Sequence, residues 1–98
     1  MNIISHISQT SQQAWETPLS AQYGSWHYEV REDTWNSFSE IQDRYPDAEC
    51  YKPNKVIFHV LKGKAVIYAH VEYAIGYVYV RFVGSKNDFF NYLKEEAA

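Results

Sequence analysis

The chain has 98 residues, 46% hydrophobic and 17% aromatic, with nine basic and twelve acidic side chains and a net charge of −3. This composition predicts one folded domain over residues 1–98 and argues against disorder. No apolar run reaches the roughly 18 residues of a membrane span, and the first residues lack a signal-peptide pattern. The single cysteine, Cys50, cannot form an internal disulfide, which favours a cytoplasmic protein. The acidic balance counts mildly against a dedicated nucleic-acid binder.

The first third of the chain predicts an edge strand followed by helices. Residues 2–5 form a short apolar run, and residues 8–15 indicate a short helix. Thr17 and Pro18 fit an N-cap and the first position of a second helix. An apolar stripe at helical spacing continues that helix to about Asp33: Leu19, Tyr23, Trp26 and Val30.

The middle of the chain predicts one more short helix and a loop. The Ser-Phe-Ser-Glu run at residues 37–40 fits a capping box, and the helix that it begins should stop before Pro46. Residues 47–54 are predicted to connect this helix to the strands that follow.

Three β-branched and aromatic runs with short glycine-containing turns then predict an antiparallel β-meander. The predicted strands cover residues 55–61, 65–73 and 76–83. Asn87 is expected to cap a final helix through Glu95, with Phe89, Phe90 and Leu93 available for packing.

Strand periodicity divides the meander into two faces. The apolar face should be covered by the N-terminal helices through Trp15, Tyr23 and Trp26; it comprises Val56, Phe58, Val60, Ile67, Ala69, Val71, Val78, Val80 and Phe82. The opposite face is expected to stay open, because it is polar and aromatic: His59, Leu61, Val66, Tyr68, His70, Glu72, Tyr77, Tyr79 and Arg81. The predicted fold class is therefore α+β, a two-layer arrangement of a β-meander packed on N-terminal helices.

The open face carries the main candidate site. His59, Tyr68, His70, Tyr79 and Arg81 come from three adjacent strands and could converge. Cleavage of RNA by its 2′-hydroxyl needs a base, an acid and cations for the phosphorane, and aromatic rings suit single-stranded RNA. An ordinary solvated sheet face is the alternative interpretation. From residue 52 to residue 86 the chain is locally cationic, with six Lys or Arg and one acidic residue.

Other groupings favour structural roles. No acidic or cysteine residue stands at a metal-binding spacing from the histidines, so neither a metal nor a cofactor is expected. The Lys-Gly-Lys sequence at residues 62–64 lacks the strand–loop–helix context of a phosphate loop and indicates a charged hairpin tip.

Short motifs along nearly the whole chain resemble the HigB-type toxins of bacterial type II toxin–antitoxin systems, which have a RelE-like fold. They are N-I-I-S at residues 2–5, W-N-S at 35–37, Y-P-D-A at 45–48, V-I-F-H at 56–59 and V-R-F-V-G-S at 80–85. The last is similar to the family run I-R-F-V-G-T-H. The resemblance implies ribosome-dependent endonucleolytic cleavage of mRNA in the ribosomal A site, inhibition of translation, and a cognate helix-turn-helix antitoxin.

The chain departs from the family pattern at chemically important positions. Lys64 matches a motif lysine, but Ala65 and Val66 stand where the family has tyrosine and arginine. Lys86 replaces a histidine, and Phe89 replaces a tyrosine. The chain is therefore either an endoribonuclease with substituted site residues or a catalytically degenerate toxin-like module that acts through protein or RNA contact. A plain structural subunit is a third interpretation.

The site hypothesis assigns roles to eight residues. The catalytic set is His59, His70, Arg81 and Lys86, and the RNA-binding set is Lys62, Lys64, Tyr68 and Tyr79. A histidine would act as base or acid, Arg81 would stabilise the developing negative charge, and Lys64 and Lys86 would hold phosphates.

Overall fold

A computed structural model describes residues 1–5 and 17–97 of the chain. The helix predicted at residues 8–15, including Trp15, lies outside the described residues. The elements are β1 (Asn2–Ser5), α1 (Thr17–Glu32), α2 (Phe38–Arg44), β2 (Glu49–Lys52), β3 (Lys55–Val60), β4 (Ala65–Glu72), β5 (Tyr77–Ser85) and α3 (Lys86–Ala97), with a 3₁₀ turn at Leu61–Gly63. In this described part, no helix combines the length and apolar character needed to cross a membrane.

The described strands form one sheet in the order β1-β5-β4-β3-β2. Strands β3, β4 and β5 make the predicted antiparallel meander. The predicted edge strand β1 is confirmed and lies parallel to β5. The predicted α+β class is therefore confirmed, with a mixed sheet of five strands in the described residues.

Strand β2 corrects the prediction that residues 47–54 are only a loop. It pairs antiparallel with β3, placing Glu49 opposite Ile57 and Cys50 opposite Val56. All four of its side chains are exposed. Burial therefore imposes no alternation of apolar and polar residues on β2, which removes the usual sequence signal for a strand.

The first face of the sheet packs against α1 and α2, as the apolar stripe predicts. Phe58 lies at the centre of this core, with ring centroids 5.2 Å from Trp26, 5.3 Å from Tyr45 and 6.1 Å from Trp35. Such offset and edge-on ring contacts add to the burial of the rings themselves. The side chain of Tyr45 also donates a hydrogen bond to Glu29, which ties the end of α2 to α1.

The start of α2 differs from the predicted capping box. Ser37 occupies the cap position with an extended backbone, but its hydroxyl makes no capping bond and bonds Ser39 instead. The Glu40 carboxylate accepts the backbone N–H of Asn36 at 2.9 Å. The carboxylate half of the box is therefore displaced by one residue toward the N-terminus.

A β-bulge at Arg81 changes the alternation of β5. Tyr68 pairs with Phe82 and the next residue, Ala69, pairs with Val80, so Arg81 is the extra residue. Phe82 consequently leaves the first face, and its predicted place in that core is wrong. Its ring lies close over Gly84, where an added Cβ would come within 2.9 Å of it.

The second face of the sheet is partly covered by α3, so the prediction that this whole face is open is wrong. A second core lies between the sheet and this helix: Ile57, Val66, Tyr68, Phe82 and Phe89, with Tyr92 and Leu93 packed against them. The apolar stripe of α3 is what covers the sheet. We call these residues the α3 core.

Candidate nucleic-acid interface

The five side chains predicted to converge do not form one site. His59 lies opposite Val66, whereas His70 is four residues further along β4. At about 3.3 Å per residue, the two histidines are about 13 Å apart along the strand direction. Tyr68 lies between these positions and is completely buried. The second face therefore has two polar ends separated by the α3 core.

Three lysines lie at one end of the sheet, and we call them the lysine end. Lys62 and Lys64 flank Gly63 between β3 and β4, and Lys86 directly follows β5. The backbone N–H of Lys86 donates to the carbonyl of Lys64 at 3.3 Å. The Lys86 Nζ is 3.7 Å from the position that a Cβ on Gly63 would take. Within the described residues no carboxylate forms an ion pair with these exposed lysines, so their charge is available to an anion.

The turn that carries Lys62 has an unusual backbone. Leu61, Lys62 and Gly63 all have positive φ, at 52°, 55° and 86°. This conformation costs a non-glycine residue about 1–2 kcal/mol, whereas glycine adopts it freely. The turn is closed by a hydrogen bond from the Lys64 N–H to the Leu61 carbonyl at 3.1 Å. The charged hairpin tip predicted from sequence is therefore a strained turn with defined geometry.

His59 lies next to the lysine end and is paired with a carboxylate. Its Nε2 is 2.9 Å from Oε2 of Glu49, and its side chain keeps 20% of its surface exposed. A carboxylate on one ring nitrogen fixes the orientation of an imidazole that acts in proton transfer. Lys64 directly precedes β4, two residues before Val66, the strand partner of His59. His59 and Lys64 therefore belong to the same end of the second face.

The other polar end is formed by His70, Tyr77 and Tyr79, which we call the tyrosine patch. His70 Nε2 bonds the Glu72 carboxylate, and its ring meets that of Tyr79 edge-on at 6.1 Å. The Tyr77 and Tyr79 rings are also 6.1 Å apart. Arg81 is exposed at the bulge of the same strand. The patch therefore offers partly exposed aromatic surface, and an exposed guanidinium lies two residues further along the same strand.

Tyr68 cannot stack on a base in this structure, because its ring is buried beneath α3. The ring centroid is 5.2 Å from Phe89 and 6.1 Å from Tyr92. Its hydroxyl is buried with no hydrogen-bond partner among the described residues. Burial first, and then the negative charge of Glu96, raises the pKa of Tyr68 to about 12, partly offset by Arg81. The structure therefore places Tyr68 in the packing of the α3 core.

Sequence reasoning missed three residues that contact the candidate site. Glu72 could have been found, because it shares a strand face with His70 at a spacing of two. Glu49 could not have been found, since it lies on β2, which has no strand pattern. Gln22 on α1 was also missed, although its side chain accepts the Leu61 N–H at 2.9 Å across 39 positions of sequence.

The described residues offer no obvious metal centre. No group of three or more histidine, cysteine, aspartate and glutamate side chains in this part of the chain could hold a metal ion. Among these residues, His59 bonds the Glu49 carboxylate and His70 bonds the Glu72 carboxylate.

A comparison with protein-family models identifies the family. A family model described as HigB toxin, RelE-like toxic component of a toxin–antitoxin system, matches residues 19–89. The match begins in α1 and ends in α3, so it includes strands β2 to β5, the lysine end, His59 and His70, while β1 lies before it. None of the curated proteins compared with the chain matches it.

Proposed function

The chain belongs to the HigB toxin family, the RelE-like toxic components of toxin–antitoxin systems, and from this premise we propose that it inhibits translation by cleaving mRNA on the ribosome. The observation that carries this proposal is the lysine end beside the His59–Glu49 pair. Three available positive charges and an oriented imidazole lie at the same end of the sheet. Cleavage of RNA by its own 2′-hydroxyl needs this combination.

Each residue has a role in the proposed reaction. Lys64 and Lys86 bind the phosphates on either side of the cleaved bond, and Lys62 attracts the neighbouring backbone. His59, oriented by Glu49, removes the proton of the 2′-hydroxyl, which then attacks phosphorus and displaces the 5′-oxygen. A protonated group, supplied by Lys86 or by the ribosome, donates a proton to that leaving oxygen.

We propose that the tyrosine patch also contacts the RNA, farther from the cleaved bond than the lysine end. His70 of the patch is about 13 Å from His59 along the strand direction, so the patch would contact a part of the RNA away from the cleaved bond. We assign Tyr79 to stacking on a base and Arg81 to a contact with phosphate. We assign His70, whose Nε2 bonds Glu72 and whose Nδ1 is buried, to orienting the Tyr79 ring. Arg81 thus binds the RNA backbone along the sheet, and the stabilisation of charge at the cleaved bond falls to the lysines.

Membership of this family implies an antitoxin as partner. We propose that the antitoxin is a helix-turn-helix protein, that the ribosome and mRNA are the targets, and that the toxin acts in the cytoplasm. The toxin should be inactive in the complex and regain activity when the antitoxin is removed.

The test is cleavage of a defined mRNA on purified ribosomes, read by primer extension. His59→Gln should lower the rate at least 100-fold, since general base catalysis contributes about 10²–10⁴-fold. Lys64→Ala and Lys86→Ala should each lower it about tenfold or more through lost charge-assisted bonds. Lys94→Ala is the matched control, an exposed lysine near the end of α3. Cleavage that His59→Gln leaves unchanged would refute the assignment.

A second candidate function is supported by the α3 core. Val66 and Phe89 occupy the positions of the family's arginine and tyrosine, and both are buried in this core, at 1% and 5% exposed. A chain that uses these positions for packing could bind the ribosome or a protein without cutting RNA. Translation inhibited by the wild-type chain with full-length mRNA recovered would establish this function in place of cleavage.

A further inference from the structure

The turn between β3 and β4 is held by a side chain from the opposite layer of the fold. Leu61 and Lys62 adopt positive φ without being glycine or asparagine. Such a backbone persists only when surrounding contacts fix it. The Lys64 N–H to Leu61 carbonyl bond closes the turn from within, but it does not tie the turn to the rest of the molecule.

Gln22 supplies that tie. Its Oε1 accepts the Leu61 N–H at 2.9 Å. The residue lies on α1, four positions before the buried Trp26, and α1 is anchored on the first face of the sheet. Among the described residues, this is the side-chain hydrogen bond that joins the turn to a helix. A single neutral hydrogen bond shifts an equilibrium about fivefold to tenfold.

The position of the turn decides where the lysine charges lie. Lys62 is inside the turn, Lys64 closes it, and Lys86 lies against Gly63 and bonds the Lys64 carbonyl. If Leu61 and Lys62 relax to negative φ, the Cα–Cβ directions of the turn change, and Lys62 and Lys64 are redirected relative to Lys86. A flexible group of lysines binds phosphate less well than a preorganised one.

We propose that Gln22 is a positioning residue for the lysine end, which holds the turn in its left-handed conformation so that Lys62, Lys64 and Lys86 bind one stretch of RNA backbone. This inference rests on the proposed function, since it takes RNA phosphate as the ligand. It adds a residue that lies on α1, outside the sheet and away from the reacting atoms.

The test compares three variants of the full chain. Gln22→Met keeps the length of the side chain and removes the acceptor. Gln22→Glu keeps an acceptor for the Leu61 N–H. Gln42→Met is the matched control, because Gln42 is exposed on α2. The probe is a short single-stranded RNA oligonucleotide, with binding followed by fluorescence anisotropy, and the local readout is hydrogen exchange of the Leu61 amide.

Gln22→Met should speed exchange of the Leu61 amide about fivefold to tenfold, weaken RNA binding by a similar factor and lower the thermal midpoint by about 4–8 °C. Gln22→Glu should keep the Leu61 amide protected. Gln42→Met should alter neither readout. A Leu61 amide equally protected in Gln22→Met and wild type would overturn the proposal.

A second outcome separates this inference from the function beneath it. If Gln22→Met loosens the turn while RNA binding stays constant, and Lys64→Ala still weakens binding, the positioning role is overturned and the lysine site stands. If neither Lys64→Ala nor Lys86→Ala weakens RNA binding, the lysine site is refuted, and the positioning role of Gln22 is refuted as well.

Discussion

The face of the sheet toward α1 and α2 and the face toward α3 contain similar residue types but have different roles. The face toward α1 and α2 is apolar along three strands and buries Phe58 among three other rings. The face toward α3 is apolar only in its middle, where Tyr68 and Phe82 lie beneath Phe89. Its two ends keep histidines, lysines and tyrosines at the surface. One face therefore supplies stability, and the other supplies both a small core and the candidate chemistry.

This difference shows how a toxin-like fold can vary its chemistry. Positions on the first face are constrained by packing with two helices. On the second face, Val66 of β4 and Phe89 of α3 both belong to the α3 core, and the two polar ends lie outside it. We therefore expect a substitution in the α3 core to leave the packing of the first face largely unchanged.

The largest effect is expected at the centre of the first face. Phe58→Ala should lower the free energy of unfolding by about 4 kcal/mol, because it removes a fully buried ring and leaves a cavity. Urea denaturation measures the loss. Tyr28→Ala is the control, an aromatic residue 66% exposed on α1. If Phe58→Ala lowers the free energy of unfolding no more than Phe89→Ala on the other face, the two faces do not differ in their contribution to stability.

The corresponding change is Phe89→Ala in α3. We expect a loss of about 3 kcal/mol, limited by the free energy with which α3 docks on the sheet. Hydrogen exchange should show α3 amides nearly unprotected while β3 and β4 stay protected. The neighbouring Phe90 is 60% exposed, so Phe90→Ala should cost little. Uniform loss of protection across the sheet would mean that α3 is integral to one core.

Sequence reasoning succeeds where burial imposes a period and fails where it does not. The meander and α1 were predicted because Val56, Phe58 and Val60, like the stripe on α1, repeat at the spacing of their element. The bulge at Arg81 was not predicted, since apolar and polar residues alternate without interruption over residues 78–82. The packing of α3 against the sheet was missed because an apolar stripe does not indicate which surface it covers. The lysines could be selected from sequence, but their assembly around Gly63 depends on a turn with positive φ at Leu61.

A third prediction concerns the unpartnered hydroxyl of Tyr68. Tyr68→Phe should stabilise the fold by about 1 kcal/mol, because it removes a buried polar group that has no hydrogen bond. Thermal denaturation at neutral pH measures the change. Tyr45→Phe is the control with the opposite sign, since the Tyr45 hydroxyl donates to Glu29 at 2.6 Å. Destabilisation by Tyr68→Phe would indicate that the hydroxyl has a partner.

The same residue gives a pH dependence. Burial raises the pKa of Tyr68 from 10.0 to about 12 in the folded chain. Between these values the unfolded state has lost the phenolic proton and the folded state retains it, so stability falls as pH rises from 10 toward 12, by up to about 1.4 kcal/mol per pH unit. Tyr68→Phe should make urea midpoints less sensitive to pH in this range. Equal slopes for both chains would contradict the raised pKa.

The smallest predicted effect tests whether the two faces unfold separately. Gly24 lies in α1, and a Cβ there would meet no atom within 4 Å. Gly24→Ala should therefore raise the free energy of unfolding by about 0.5–1 kcal/mol through helix propensity alone. If α3 opens independently, the state with α3 open gains the same stability as the native state, so exchange of α3 amides should stay constant while the slowest amides slow about twofold to fivefold. If the α3 amides slow by the same factor, α3 opens only when the whole domain unfolds, and the two faces form one cooperative unit.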